Sequence, residues 1–433
     1  DTTYEWDESG RITSITDAEG GVERFEYDAA GNQTAHIDPE GRETTYEHDA
    51  DGNVTAETAP DGGRLEYTYG ANGAIASITD AGGPDGAART VTVALTATGR
   101  PVSVTLADGG TIGYAYTATG DVASVTDQAG NVTSFVYDAA GNITGTVNAL
   151  GHTTTIAYDT AGRPVSVTDP SGATTTSTYD AGDRLVSTTD ANGATTVFGY
   201  DTLDRLVSVT DATGATTSYE WDDLFRLTSV TNALGAVTTY EYDSEDDLVS
   251  VTDAAGNVTE LTRDEVGRVT EVTDPLGQVW ASVYDASGLV TETRDPLGAT
   301  TTFGYDEAGR LTSVTDASGA TTTTTYDEVG RTSTVTDALG NRIGYAYTPT
   351  DLVAAVVDAE SFTVRNTYDA VGNRTGLIDR RGNTWATAFD ALGRVVSETD
   401  PKGAVTTYAY DDAARTVTTT TALGAATTAL FDA

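Results

Sequence analysis

Residues 305–331 read YDEAGRLTSVTDASGATTTTTYDEVGR, and this stretch decides the fold. Tyr305-Asp306 and Tyr326-Asp327 open the same phrase 21 residues apart. Each phrase holds two Asp-x-x-Gly signatures, here at 306–309 and at 316–319. Aspartate suits the first place of a turn because its carboxylate accepts nearby backbone N–H groups; glycine suits the last because it tolerates positive φ. Proline is favoured at the second place and stands there in Asp169-Pro170, Asp274-Pro275, Asp295-Pro296 and Asp400-Pro401. The runs between the turns, 310–315 and 320–325, are rich in Thr and Val, and neighbouring copies add aromatics. They are strand-length and joined tightly enough to be antiparallel.

Counting outward from Tyr305, an aromatic residue recurs at Trp6, Tyr27, Tyr69, Tyr116, Tyr137, Tyr158, Tyr179, Tyr200, Trp221, Tyr242, Tyr284, Tyr326, Tyr347, Tyr368, Phe389, Tyr410 and Phe431. His48, Leu95 and Arg263 fill the remaining slots of the same count. The step is 21 throughout, except for a five-residue insertion near 81–88 (AGGPDGAA, around Pro84). In the second turn Asp316 and Gly319 typify the slots, and glycine gives way at Ser361. The first turn is looser, with Asp183, Asp204, Phe225 and Asp246 in the glycine place. The chain therefore reads as one array, 1–433, of about twenty hairpin repeats. It begins and ends inside a repeat, so it is expected to be a piece of something longer.

An odd repeat length constrains the backbone. Side chains alternate faces along a strand, so equivalent residues keep one face only if one turn per repeat carries an odd offset such as a bulge. A bulge beside the tyrosine puts Tyr305 on the face of Leu311; a bulge at the other turn puts it with Val314. On either count apolar residues are expected in part on both faces. Magnitude then points to an architecture. About forty strands at ~4.8 Å make a ribbon ~190 Å long and ~20 Å wide, far beyond the ~10 strands an open twisted sheet tolerates. An all-β antiparallel ribbon coiled into a spiral barrel or shell is the expected fold.

Composition excludes several functions. A net charge of −43 argues against nucleic acid, whose phosphates need Lys and Arg, and disfavours an anionic membrane surface. No run approaches 18 apolar residues, so no membrane span is encoded. Cysteine is absent, which removes disulfides, thiol nucleophiles and Cys-based zinc sites and fits an exported protein.

A search for chemistry returns repeat positions. His36, His48 and His152 occupy unrelated slots with no catalytic context, and His48 replaces an anchor. Acidic pairs recur with the period, whereas a catalytic pair would be singular. The cluster Ser244-Glu245-Asp246-Asp247 is the best place for an adventitious calcium ion, with a solvated turn as the favoured reading. Six Asn-x-Thr triplets, at Asn32, Asn53, Asn131, Asn142, Asn257 and Asn373, each follow a turn glycine and need no glycosylation to explain them. No catalytic, cofactor or metal residue is assigned. A ladder of anchor tyrosines, represented by Tyr137, Tyr158, Tyr179, Tyr200, Tyr305 and Tyr326, serves packing or offers a platform for sugars. Trp280 and Trp385 stand four residues ahead of an anchor, where Thr is usual, and are the candidate ligand contacts.

The phrase at 305–331, with its echoes at 137–169 and 389–411, resembles the RHS or YD repeat across essentially the whole chain. Members include bacterial polymorphic toxins, B/C components of insecticidal toxin complexes, wall-associated proteins and teneurins. The resemblance implies a β-ribbon wound into a hollow cocoon, which in the toxins holds an unfolded or inactive C-terminal effector. Those toxins close the cocoon with a self-cleaving core segment. Asp274-Pro275-Leu276-Gly277 and Asp295-Pro296-Leu297-Gly298 share its Asp-Pro-Leu-Gly, but both sit in the ordinary turn slot, so no protease residue is carried over.

Two readings follow. The first is the structural wall of a large secreted or surface-delivered bacterial protein, its partners being its own missing N- and C-terminal regions and an enclosed toxin effector. The second is a surface adhesin or extracellular filament that binds glycans, other cells or itself. A glycan-cleaving enzyme ranks behind both, since it needs a unique acidic cleft that breaks the repeat.

Overall fold

The computed structural model describes residues 2–81 and 88–430. Phe431 and most of the insertion near Pro84 lie outside the described residues. Among those described, 41 strands form an antiparallel sheet, running from Thr3–Trp6 to Ala426–Leu430. The chain divides into two compact units, one made of 1–111 with 259–365, the other of 112–258 with 366–433. Within each, successive strands pair as hairpins.

The pairings locate the odd offset. Thr302, Phe303 and Gly304 face Thr315, Val314 and Ser313, but Tyr305 faces Leu311, which leaves Thr312 as an extra residue. Across the second turn the register is unbroken: Ser313 faces Thr323, Val314 faces Thr322 and Thr315 faces Thr321. The bulge therefore sits beside the tyrosine. The aromatics gather on one face, and the expectation of apolar residues in part on both faces holds, since Val132, Val136, Val197 and Val283 lie on the other. Phe303, Tyr305, Leu311 and Val314 share one face, because the extra residue brings both strand halves into phase. Thr302, Gly304, Ser313 and Thr315 form the other, a face of hydroxyls and small side chains.

Gly304 faces Ser313 and Ser313 faces Thr323, whereas the next repeat's counterpart of Gly304 is Thr325. Each repeat thus slips two residues along the strand direction. With a ~3.4 Å rise and two strands ~9.6 Å wide, the strands lean roughly 35° from the perpendicular to the ribbon's run.

No large side chain among the described residues is fully buried, which is what one sheet without a second layer predicts. The few buried residues among those described, Ser14, Ala35, Ala56, Gly145, Ser229, Ser250 and Thr334, occupy the repeat slot of Ser313, on the face opposite the aromatics. A partner across the strand covers them: Ser14 Oγ donates to Glu5 at 2.9 Å and Ser229 Oγ to Glu220 at 3.0 Å. Bulkier residues in this slot would push that cover aside. Cohesion comes from hairpin to hairpin, as in linear repeat proteins.

Candidate functional site

Both turns of the repeat are built by their aspartate. Asp316 Oδ1 accepts the amides of Ser318 at 2.9 Å and Ala320 at 3.0 Å, together with the Ser318 hydroxyl at 2.6 Å. The Ser318 hydroxyl first, then the Ala320 amide, hold the Asp316 carboxyl below its ordinary value. Gly319 takes φ +83°, where a β-carbon would be strained. Asp274 of the Asp-Pro-Leu-Gly stretch accepts the amides of Leu276 and Gln278 in the same way, so that segment is an ordinary turn.

The first turn adds three partners that make it a distinct cluster. Arg310 Nε donates to Asp306 Oδ2 at 2.8 Å, and its guanidinium lies 4.8 Å from the Tyr326 ring of the next repeat. Burial raises the Asp306 carboxyl, but the Arg310 amide and guanidinium more than offset it and the carboxyl lies below its ordinary value. The anchor hydroxyl then reaches back to a carbonyl at the previous repeat's bulge. Tyr326 donates to Leu311 O at 2.7 Å and Tyr305 to Val290 O at 2.7 Å. Tyr137, Tyr158, Tyr179 and Tyr200 do likewise to Val122, Ile143, Pro164 and Leu185 at 2.8–3.0 Å. Trp221 replaces the hydroxyl with its indole N–H, donated to Leu206 O at 2.9 Å. The slot calls for an aromatic ring with a donor at its far end.

Arginine also extends the cluster along the edge. Arg163 Nη1 donates to Asp180 O at 3.0 Å and to the Asp183 carboxylate at 2.7 Å; Arg184 does the same to Asp201 O at 3.2 Å and to Asp204 at 2.6 Å. Arg226 pairs with Asp246 at 2.7 Å, and Arg331 with Asp351. The aspartates in glycine's place hold φ of 65–73°, a conformation costly for them. They are ion-pair partners, not relaxed copies of the glycine. Sequence reading missed this, although the signal is plain: each of these aspartates lies 20 residues after an arginine.

The two edges of the ribbon meet within each unit. In the first, Arg310 Nη1 pairs with Asp61 at 3.0 Å, Arg268 with Glu19, and Ala286 N donates to Glu40 at 3.1 Å. Arg89 pairs with Asp351 at 2.8 Å. In the second, Arg415 Nε donates to Ser171 Oγ at 2.8 Å and His152 Nδ1 lies 3.0 Å from Asp412. The partners stand 244 to 262 residues apart, roughly twelve repeat lengths. Second-turn tips thus rest on first-turn tips that arrive much later in the chain.

The remaining candidates are placed as follows. Trp280 faces Val272 and Trp385 faces Leu377, both on the aromatic face and about two-fifths exposed. They are not equivalent. Around Trp385 lies an open hollow of about 490 Å³ that also involves Arg374, Leu377, Glu398 and Thr406. Tyr408 donates to Glu398 there at 2.6 Å. His36 stacks on Phe25 at 5.0 Å. In the acidic cluster, Asp246 pairs with Arg226 and Glu245 accepts the Ser244 hydroxyl at 2.8 Å, so two of its carboxylates are already engaged. Asn32 and Asn142 of the Asn-x-Thr triplets clamp their own turn aspartates at 2.9 and 3.0 Å.

The RHS Repeat family matches at 27–64, 48–85, 116–153, 158–195, 200–237, 226–258, 242–279, 284–322, 326–363 and 389–426, well over half of the chain. The chain belongs to the RHS repeat family. None of the curated proteins matches it. Among solved structures, the crystal structure of TcdB2-TccC3-TEV is 15% identical, with a TM-score of 0.44, over 99% of this chain and 26% of that one. The Tc holotoxin pore of Photorhabdus luminescens, carrying a TccC3 mutation, is 15% identical with a TM-score of 0.45 over the same shares. The RHS array spans about 26% of the length of both. No helix among the described residues is long and apolar enough to cross a membrane.

Proposed function

We propose that this RHS array is a structural wall, part of a larger secreted or surface-delivered protein, and that it encloses that protein's C-terminal effector. The observation that carries the reading is the edge-to-edge contact. A ribbon whose second-turn tips pair with first-turn tips roughly twelve repeats later is suited to sealing against itself, which hides edges that would otherwise recruit foreign strands. Its two unlike faces, one rich in aromatics and the other a mixture of hydroxyls, valines and glutamates, suit a sheet with different surroundings on each side. Enclosure is a mechanical task, and we assign the array no catalytic role. The test is electron microscopy of the natural full-length protein together with limited proteolysis. A hollow body, and a C-terminal region that resists protease until the array is cut, is the expected result; a thin solid fibre with a freely digested C-terminus overturns the reading.

One observation favours the second reading, a glycan-binding surface: the hollow beside Trp385, which combines an indole with Arg374 and Glu398. Trp385→Ala abolishing retention on immobilised oligosaccharide, with Trp280→Ala as the comparison, would favour it.

A further inference from the structure

The contacts that join the two edges within each unit differ in the cations they use. In the first unit these are Arg89, Arg268 and Arg310, which stay charged at any ordinary pH. In the second unit Arg415 is joined by His152, whose Nδ1 lies 3.0 Å from Asp412 Oδ2. Histidine is the side chain that changes its charge between about pH 5 and about pH 8. His152 stands in the repeat slot that the first unit fills, at Arg42, with a fixed charge.

The surroundings leave this pair to itself. Asn148 opens the His152 turn where aspartate is usual, and its Oδ1 accepts the Leu150 and His152 amides at 3.0 Å, so that turn brings no carboxylate of its own. The facing hairpin is irregular: Tyr410 faces Val417 and Asp411 faces Thr416 with no bulge, and Arg415 holds φ 53°. Arg394 Nη1 holds the other oxygen of Asp412, while Arg415 is engaged with Ser171 at 2.8 Å and Asp169 at 3.4 Å. The other charged groups of the neighbouring turns are occupied as well. Asp390 pairs with Arg394, Asp127 accepts the Asn131 amide and side chain, and Asp411 accepts the Ala414 amide. His152 and Asp412 are both partly buried, which weakens screening by salt.

We propose that His152 and Asp412 form a proton-operated latch on the edge contact of the second unit, closed when the imidazole is charged and slack when it is neutral. A neutral imidazole can still donate one hydrogen bond, but only the imidazolium adds an ion pair to it. The contact is therefore strongest in mild acid and weakens as pH rises through the histidine range. The arginine contacts of the first unit keep their strength over the same range. On the reading of the array as a wall, the second unit's edge is where that wall loosens first. The latch itself needs no cargo, so its test is made on the array alone and leaves the wall reading untouched.

Amide hydrogen exchange provides that test, with variants compared to the wild type at one pH at a time so that the intrinsic pH dependence of exchange cancels. At about pH 5.5 the amides of 148–152 and 411–415 should exchange roughly two- to fivefold more slowly in the wild type than in His152→Gln, and at about pH 8 the two should exchange alike. His152→Arg, which fixes the charge, should exchange more slowly than the wild type by a similar factor at about pH 8. On an Asp412→Asn background, replacing His152 should change nothing at either pH. The turns carrying Arg268 and Arg310 serve as the internal control, since their exchange should be the same in every variant if the fold is intact. A wild type with no advantage over His152→Gln in mild acid, an advantage equal at both pH values, one that survives Asp412→Asn, or a His152→Arg variant no better protected than the wild type at the higher pH would each overturn the proposal.

Discussion

At 306–309 and at 316–319 the chain turns through the same Asp-x-x-Gly arrangement, ten residues apart, with glycine φ of 74° and 83°. Around the second turn a β-carbon on Gly319 would meet nothing within 4 Å. Around the first, one on Gly309 would lie 3.3 Å from Arg42 and 3.5 Å from Leu289. The first turn also carries the bulge, the arginine stacked on the next tyrosine, and the hydroxyl bond back to the previous repeat. Identical local chemistry is therefore placed in two settings: the second turn of this repeat only reverses the chain, and the first joins the repeat to its neighbours. The comparison teaches that propensity builds the hairpin while the residues just outside it decide which edge transmits strain.

Acid should produce the largest effect. Aspartates of both turns, among them Asp180, Asp306, Asp211 and Asp316, have carboxyls below the ordinary value of 3.8. A depressed folded-state value means stability that is fully present above about 3.8 and is lost as pH falls through the folded values. Melting temperature should hold or rise slightly from neutral pH to about 5, as repulsion among the acids weakens, and then collapse below about 3.8. Salt sharpens the contrast. At about 1 M NaCl the first-turn carboxyls, partnered by arginine, should titrate closer to the ordinary value, while second-turn carboxyls held by amides and hydroxyls should move less, read by carboxyl carbon NMR.

Substitution of glycine comes next. Gly309→Val should cost about 2–3 kcal/mol in denaturant unfolding, backbone strain plus crowding, against about 1–2 kcal/mol for Gly319→Val, where strain alone acts. Equal losses would break the distinction between the edges. Removing one hydroxyl is smaller: Tyr326→Phe should cost about 1 kcal/mol, and Phe389→Tyr should stabilise by up to about that amount through a new bond to the Arg374 carbonyl. Smallest is Asp183→Gly, where relief of a left-handed aspartate opposes loss of the Arg163 pair; the net should lie within about 0.5 kcal/mol of zero.

The repeat phase made most of the fold readable. The expected runs 310–315 and 320–325 differ from the observed strands Leu311–Thr315 and Thr321–Tyr326 by one residue at their ends. The position of the bulge was not readable, because parity is satisfied by a bulge at either turn and both turns carry the same signature. What breaks the tie is the register beside Tyr305, where the bulge leaves a carbonyl for the next tyrosine's hydroxyl. The arginines were readable but overlooked, since Asp183, Asp204 and Asp246 look like decay of a glycine until each is set beside the arginine 20 residues earlier. Trp280 and Trp385 share a repeat slot, and only the neighbours supplied by folding give one of them a hollow. Sequence alone could not rank the two.

Pairing each strand with its sequence neighbour gives the ribbon a mechanical character. Pulled from one end, it should yield like a zipper, releasing hairpins in order, with each repeat adding roughly 7 nm of slack at ~3.5 Å per residue. Arg268, Arg310 and Arg415 would act as clasps on that zipper, holding the early and late portions until the tension reaches them. A force-extension trace should therefore show a train of small, evenly spaced steps interrupted by a few taller ones.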